Sequence, residues 1–198
     1  MSLPFLFSGR SSLVRTLGLA VLLLTLSATE RCAAAEVTFG GPRPMQRPEF
    51  APLHNYSLQL PANWTVQPRE DRSVGADLAA HGPPGVSLSA FLISTVLSPE
   101  ANMEKVITGT LEKKPGYKFL EKGSLKNNPG QQAYFVRYQH DGASGFVWVD
   151  YHIQLAEKEI VILVFSYPSA DSQSGKSVIE AIVNSLKIVA ASGPQSRG

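Results

Sequence analysis

Three consecutive strands are predicted between Gly130 and Pro168, and this stretch constrains the fold more than any other part of the sequence. The strands cover residues 132–139, 145–155 and 159–167. They form the densest run of β-branched and aromatic residues in the chain, which is typical of strands. The connections at 140–144 and 156–158 are too short for a crossover, so the strands must be antiparallel neighbours. The stretch predicts the middle of a sheet.

The register of these strands follows from their connections. A two-residue loop at Glu157 and Lys158 would set Tyr151 opposite Val164. If the first hairpin closes at His140 and Gly145, Arg137 lies opposite Trp148 and Phe135 opposite Asp150. Both faces of this meander are then largely apolar, so each face needs a cover.

Two predicted helices can supply that cover. The first begins at the capping residue Ser98 and ends by Lys114, because Pro115 and Gly116 cannot continue it. The second covers residues 172–188. We therefore expect an α+β fold in which a single antiparallel β-sheet has helices packed on both faces, as an α/β/α sandwich.

Further strands are predicted at 56–60, from Trp64, at 76–80, at 86–96 and at 117–125. The last of these is rich in lysine (Lys118, Lys122 and Lys126), which is typical of an edge strand that must not pair with other chains.

One polar break interrupts the apolar faces, and it holds the candidate ligand-binding residues Arg137, Asp150, His152 and Trp148. The predicted register makes Arg137 and Asp150 diagonal neighbours, with Asp150 and His152 on the same face. One interpretation is structural, namely a half-buried ion pair beside a hydrogen-bonded histidine. The other is a contact to a small ligand or a metal. A transition metal needs three or four ligands and the sequence places no others nearby, so no metal ligands are assigned.

Catalytic motifs are missing from the sequence. It contains no Gly-x-Ser-x-Gly elbow, phosphate-binding glycine loop or His-Glu-x-x-His helix. The four histidines (His54, His81, His140 and His152) are scattered. We expect no catalytic residues, no enzyme activity and no cofactor.

The first 35 residues are typical of a cleaved secretory signal peptide. Arg10 and Arg15 precede the apolar run 17–26, and the small residues 33–35 offer a cleavage site after Ala35. The apolar run is short for a membrane helix, so we expect no stable membrane span after cleavage.

The single cysteine, Cys32, leaves two possibilities open. It could carry a lipid, although Thr29, Glu30 and Arg31 are not the small residues that lipidation needs before the cysteine. If cleavage follows Ala35 instead, the exported protein has no cysteine and no disulfide, which suits the bacterial periplasm. A periplasmic or secreted location is predicted.

The remaining boundaries follow from composition. Residues 36–53 are predicted to be a proline-rich linker, 54–189 a globular domain and 190–198 a disordered tail. Without Arg10, Arg15, Arg31 and Glu30, the 18 basic and 16 acidic residues become 15 of each. A neutral domain has no electrostatic footprint for nucleic acid, so no nucleic-acid partner is expected.

Several phrases resemble the PsbP-like superfamily, which includes the bacterial periplasmic DcrB-like proteins and the eukaryotic Ran-binding Mog proteins. They are the opening YSLQLPANW at 56–64, Ser98-Pro99, Pro115-Gly116-Tyr117, and the closing helix 174–188. The resemblance implies an antiparallel sheet sandwiched between helices and a non-enzymatic role in binding, assembly or envelope maintenance. Metal-binding histidines of the plant proteins cannot be carried over, because no specific motif matches. Binding to Ran is not expected of an exported protein.

Two functions remain open. The first is an interaction or assembly module of the bacterial cell envelope with a protein partner. The alternative is a protein that binds a small ligand or, weakly, a divalent metal through Arg137, Asp150 and His152.

Overall fold

The computed structural model describes residues 34–40, 54–68, 71, 75–83, 85–143 and 145–189. These residues belong to one unit of the chain, which spans Cys32–Gly198. Most of the predicted signal peptide, Cys32 and the predicted tail at 190–198 lie outside the described residues.

Ten strands and two helices make up the described part. The elements are β1 (Ala35–Gly40), β2 (Asn55–Leu60), β3 (Thr65–Val66), β4 (Leu78–Gly82), β5 (Val86–Ser94), α1 (Pro99–Val106), β6 (Lys118–Lys126), β7 (Gln132–Gln139), β8 (Phe146–Ala156), β9 (Glu159–Pro168), α2 (Ser172–Ser185) and β10 (Lys187–Val189). A π-helical turn, Ile107–Leu111, extends α1, and 3₁₀ turns occupy Asp141–Ala143 and Ser169–Asp171.

Seven strands form one antiparallel sheet in the order β3-β4-β5-β9-β8-β7-β6. The predicted central strands are confirmed, because β9 and β8 have neighbours on both sides. The prediction of a lysine-rich edge strand is also confirmed, since β6 ends the order.

The expectation of a single sheet with helices on both faces is wrong. Strands β1, β2 and β10 form a second, three-stranded antiparallel sheet. This small sheet and α2 together cover one face of the large sheet, and α1 packs on β7 and β8 from the other side. The second sheet forms because β1, near the start of the described chain, and β10, at its end, both pair with β2.

Those added strands also correct two predicted boundaries. Residues 36–40, predicted as linker, belong to β1, in which Val37 pairs with Leu58 and Phe39 with Tyr56. The short apolar alternation of Val37 and Phe39 is a strand pattern that the nearby prolines obscured. Residues 41–53 of that linker lie outside the described part. At the other end α2 stops at Ser185, and residues 187 and 188, predicted as helix, belong to β10 (Lys187–Val189).

The register of the central hairpin differs from the prediction by one residue. The two-residue loop itself is confirmed, because Ala156 pairs with Glu159 across it. A β-bulge at Leu155 then shifts the ladder, so that Tyr151 pairs with Leu163 rather than with Val164. An extra residue in one strand moves every later side chain to the other face relative to its partner strand. The structure therefore places Leu163, and not Val164, on the same face of the sheet as Tyr151.

The main core lies between the large sheet, the small sheet and α2. Alternate residues of β5, β8 and β9 face it, among them Leu88, Val149, Tyr151, Ile153, Leu163 and Phe165. They meet Tyr56, Leu58 and Leu60 of β2 and Ile179, Ile182, Val183 and Leu186 around α2. Burial of this apolar surface is the main source of stability.

Helix α1 begins as the sequence predicts. Ser98 accepts a hydrogen bond from the amide of Ala101, and Pro99 occupies the first turn. Its apolar stripe (Met103, Ile107 and Leu111) packs on Val136 and Tyr138 in a second, smaller core. Within the described residues, no helix is both long enough and apolar enough to cross a membrane.

A polar contact joins the two sheets. The hydroxyl of Tyr56 in β2 donates to the buried carboxylate of Glu159 in β9 at 2.6 Å. Nδ1 of His54 lies 3.1 Å from the same carboxylate oxygen. Burial, followed by the hydrogen bond and charge of Glu159, raises the pKa of Tyr56. The contact positions β2 against the first residue of β9.

Replacing isoleucine with alanine should affect the free energy of unfolding very differently inside and outside the main core. Ile153 is 0% exposed and Ile188 is 39% exposed. We expect Ile153→Ala to lower the free energy of unfolding by about 2–5 kcal/mol, because it leaves a cavity in the core. The control Ile188→Ala should cost less than about 1 kcal/mol. Urea unfolding followed by circular dichroism measures both, and equal losses would contradict this description of the core.

Candidate functional site

Three of the four candidate residues share one face of β8. Trp148, Asp150 and His152 alternate along the strand, opposite Tyr138, Val136 and Tyr134 of β7 respectively. Helix α1 and its π-helical turn cover this face, and Val136 and Tyr138 belong to the core beneath them. The face is therefore an interior surface of the molecule.

Arg137 lies on the opposite face, which corrects its predicted place beside Asp150. It pairs with Val149, not Trp148. Its guanidinium forms an ion pair with Glu121 and lies 5.8 Å from the centre of the Phe135 ring. The first hairpin closes one residue later than predicted because Gly145, with φ of +86°, belongs to the loop. That single residue moves Arg137 to the other side of the sheet.

Asp150 is almost fully buried. The Tyr138 hydroxyl donates a hydrogen bond to its Oδ1 at 3.3 Å. Burial raises the pKa of Asp150 to about 7, although the hydrogen bond from Tyr138 and the charge of Lys114 act in the opposite direction. The pKa of Tyr138 is raised by burial and by the nearby Asp150. Near neutral pH a large fraction of Asp150 is therefore protonated.

His152 is 0% exposed. Neither of its ring nitrogens has a hydrogen-bond partner among the described residues. Burial lowers its pKa to about 4, so the ring is neutral at physiological pH. The structural interpretation of an Arg137–Asp150 ion pair beside a hydrogen-bonded histidine is wrong, because Asp150 bonds to Tyr138 and Arg137 to Glu121.

Four rings surround the end of this face, and we call them the ring cluster: Tyr117, Tyr138, His140 and Trp148. Ring centres lie 5.4 Å apart for His140 and Trp148, 5.8 Å for Tyr117 and Tyr138, and 6.5 Å for Tyr138 and Trp148. The Lys114 ammonium lies 5.8 Å from the Tyr138 ring centre and 5.7 Å from that of Trp148. Such cation–π contacts hold the turn that follows the π-helical segment against the sheet.

Sequence reasoning missed Tyr138 and Lys114 as members of this site. The correct register would have revealed Tyr138, because it places the hydroxyl on the face of Asp150. The Trp148 Nε1, the His140 Nε2 and the Tyr117 hydroxyl are buried without a hydrogen-bond partner in the described part of the chain. Buried polar atoms of this kind are commonly satisfied by ordered water or a ligand.

A cavity of about 260 Å³ opens beside the ring cluster. Its lining includes Gly116, Lys118, Gln139, His140 and Asp141. This volume is slightly below the range of about 300–1,000 Å³ typical of drug-sized ligands, so it suits only a small one.

The described residues contain no group of three or more His, Cys, Asp or Glu side chains that could hold a metal ion. Asp150 and His152 are thus a pair of potential ligands, and a transition-metal site needs more.

Comparison with known proteins shows the fold. The sequence matches no protein-family model, and no curated protein is similar to it. The structure is similar to that of LpqN, which is involved in cell envelope biogenesis of Mycobacterium tuberculosis, with 14% identity and a TM-score of 0.52 over 79% of this chain and 92% of LpqN.

The chain is also similar to the solution structure of the cyanobacterial PsbP protein, CyanoP, from Synechocystis sp. PCC 6803. Identity is 12% and the TM-score is 0.49, over 68% of this chain and 86% of CyanoP. The resemblance to PsbP-like proteins expected from the sequence is therefore a likeness of fold, and no family membership follows from it. At these identities both likenesses concern the fold alone, and the LpqN comparison carries that conclusion.

The two buried titratable groups predict opposite pH dependences. The pKa of Asp150 is about 7 in the fold against an ordinary 3.8, so the folded chain keeps a proton that the unfolded chain releases. Its contribution to stability is fully present below pH 3.8 and is lost as the pH rises to about 7. Relative to Asp150→Asn, the parent chain should lose up to about 1.4 kcal/mol of stability per pH unit across this window.

His152 should act in the other direction. Its pKa is about 4 in the fold against an ordinary 6.5, so its contribution is present above pH 6.5 and is lost as the pH falls to about 4. Relative to His152→Leu, the parent chain should gain stability as the pH rises through this window. Urea unfolding of the three proteins between about pH 4 and pH 7.5 measures both slopes. Slopes of the same sign would contradict the assigned burial.

Proposed function

We propose that the protein is a non-enzymatic, exported component of the bacterial cell envelope that acts as an interaction or assembly module. The observation that carries the proposal is the exposed edge of the large sheet. Strand β6 has β7 on one side and no strand on the other in the described part of the chain. At that edge Phe119 is 49% exposed and Leu120 is 38% exposed. Large apolar side chains at an open sheet edge are typical of surfaces that bind another chain.

An exported location is supported by the predicted signal peptide at residues 1–35. LpqN, whose fold this chain shares, is involved in cell envelope biogenesis. The same fold accommodates many functions. The likeness to LpqN therefore supports a location in the cell envelope and does not identify a partner.

A non-enzymatic role is supported by the position of the acid and base groups. Asp150 and His152 lie under α1, and His152 exposes no surface to a substrate. General acid–base catalysis needs the side chain within hydrogen-bond reach of the reacting group. The sequence also carries none of the catalytic motifs described above.

Binding of a small ligand is a second candidate, favoured by the cavity beside the ring cluster. His140 belongs to both, and Lys118 and Asp141 contribute one charge of each sign to the cavity wall. A weak divalent-metal site at Asp150 and His152 belongs to the same alternative. A thermal shift with zinc or manganese that disappears in Asp150→Ala would support it.

Recovery from the native envelope separates the two candidates. We expect the tagged full chain, after mild formaldehyde cross-linking in the bacterium that produces it, to form a cross-linked product of one defined mass with a protein partner. The control is the same chain without residues 1–35, which should stay in the cytoplasm and lack that product. A co-purifying small molecule, with no cross-linked partner, would contradict the interaction role and favour the second candidate.

A further inference from the structure

Strand β6 is well suited to pair with a further strand. It is nine residues long, and seven of them are exposed on the outer edge of the sheet (Lys118–Lys122, Ser124 and Lys126). A β-bulge at Leu120 separates Phe119 from Glu121 in the pairing with β7. An extended peptide that adds to such an edge gains main-chain hydrogen bonds along its length.

The lysines of β6 disfavour pairing with a second copy of the chain. Lys118, Lys122 and Lys126 lie at every fourth residue, and the bulge at Leu120 places Lys118 on the opposite face of the sheet from Lys122 and Lys126. Antiparallel pairing of two copies about Lys122 would place the Lys122 side chains of the two copies opposite each other. Like charges at these positions destabilise a pair of strands. The same spacing favours a strand with acidic residues at the facing positions.

Two of the three lysines of β6 are available to a partner. Lys122 is engaged by Glu104 at 2.6 Å, and Glu121 is engaged by Arg137. Lys118 and Lys126 form no ion pair with any described residue. The edge therefore offers one cation, Lys118, next to the exposed Phe119, and a second cation, Lys126, at the other end of the strand.

A groove next to β6 can take one side chain of an added strand. Its volume is about 230 Å³, and its lining combines Met103, Gly123, Tyr134 and Phe135 with the charged residues Glu100, Glu104 and Lys122. A Cβ atom at Gly123 would come within 3.1 Å of the Phe135 ring, so glycine is what lets that ring lie close under the strand. Side-chain pockets beside an open edge give strand addition its specificity.

We propose that β6 accepts, as an eighth strand of the large sheet, an extended acidic segment of a partner protein, with an apolar side chain in the groove. This inference rests on the proposed function, because it names the chemistry of the partner for the same surface. A second copy of this chain is the competing occupant, and the lysine spacing argues against it.

A synthetic peptide tests the pairing directly. The probe has nine residues, with glutamate opposite the three lysines and threonine or valine elsewhere, to match the length of β6. One control peptide carries lysine at the three positions, and the other carries N-methyl groups on the amides that would face β6. We expect the glutamate peptide to bind the full chain about tenfold or more tightly than either control, by fluorescence anisotropy, and to slow hydrogen exchange of β6 amides.

A charge exchange tests the lysines. We expect Lys118→Glu with Lys126→Glu to weaken binding of the glutamate peptide about tenfold and to favour the lysine peptide instead. The control is Lys105→Glu with Lys113→Glu, which makes the same change of net charge at exposed residues outside β6. All four lysines are exposed, so the variants should fold, and circular dichroism checks that they do.

Several results would overturn the proposal. Equal binding of the N-methylated peptide would exclude main-chain pairing, and equal binding of the lysine peptide would exclude charge selection. A dimer of the chain that the charge-exchanged pair alters would make the second copy the occupant. The parent chain and the double variant Lys118→Glu with Lys126→Glu could also cross-link equally to the same envelope partner. That result would support the proposed function and contradict an acidic partner strand at β6. Selective binding of the glutamate peptide, with no cross-linked envelope partner, would support strand addition at β6 and contradict the proposed function.

Discussion

The register between β8 and its neighbours is the constraint on which the rest of the structure depends. Strand β8 is covered on both sides, so each of its side chains faces one of two interiors. The bulge at Leu155 and the longer loop ending at Gly145 decide that assignment. They direct Tyr151 and Ile153 toward α2 and the small sheet, and Trp148, Asp150 and His152 toward α1. A shift of one residue would bury the wrong set on each side.

That assignment gives the two faces different chemistry. The face toward the small sheet is almost wholly apolar, and its polar contact at the sheet boundary is made by Tyr56 and Glu159. The face toward α1 contains the ring cluster and two titratable residues whose burial favours their neutral forms, Asp150 and His152. The neutral forms allow the fold to bury both side chains without a partner of opposite charge, because an isolated ion in such a place would cost on the order of several kcal/mol.

Much of the local structure could be predicted from the sequence, and the site only in part. Strand β7 has the predicted bounds, the two-residue loop after β8 is confirmed, and Ser98 caps α1. These features depend on neighbours along the chain, where propensity and turn chemistry act. The placement of Arg137 failed because a cross-strand neighbour depends on loop length and bulges, neither of which alternation of apolar residues reveals.

Sequence by itself determined the central antiparallel strands, the edge position of β6 and the resemblance to PsbP-like proteins. Only the tertiary structure decided that there are two sheets, because β1 and β10 pair with β2 from opposite ends of the domain. It also decided which polar groups meet, bringing Asp150 to Tyr138 and Arg137 to Glu121. The physical reason is that strand propensity is local, whereas pairing partners and register are chosen by burial and hydrogen bonding between segments far apart in the chain.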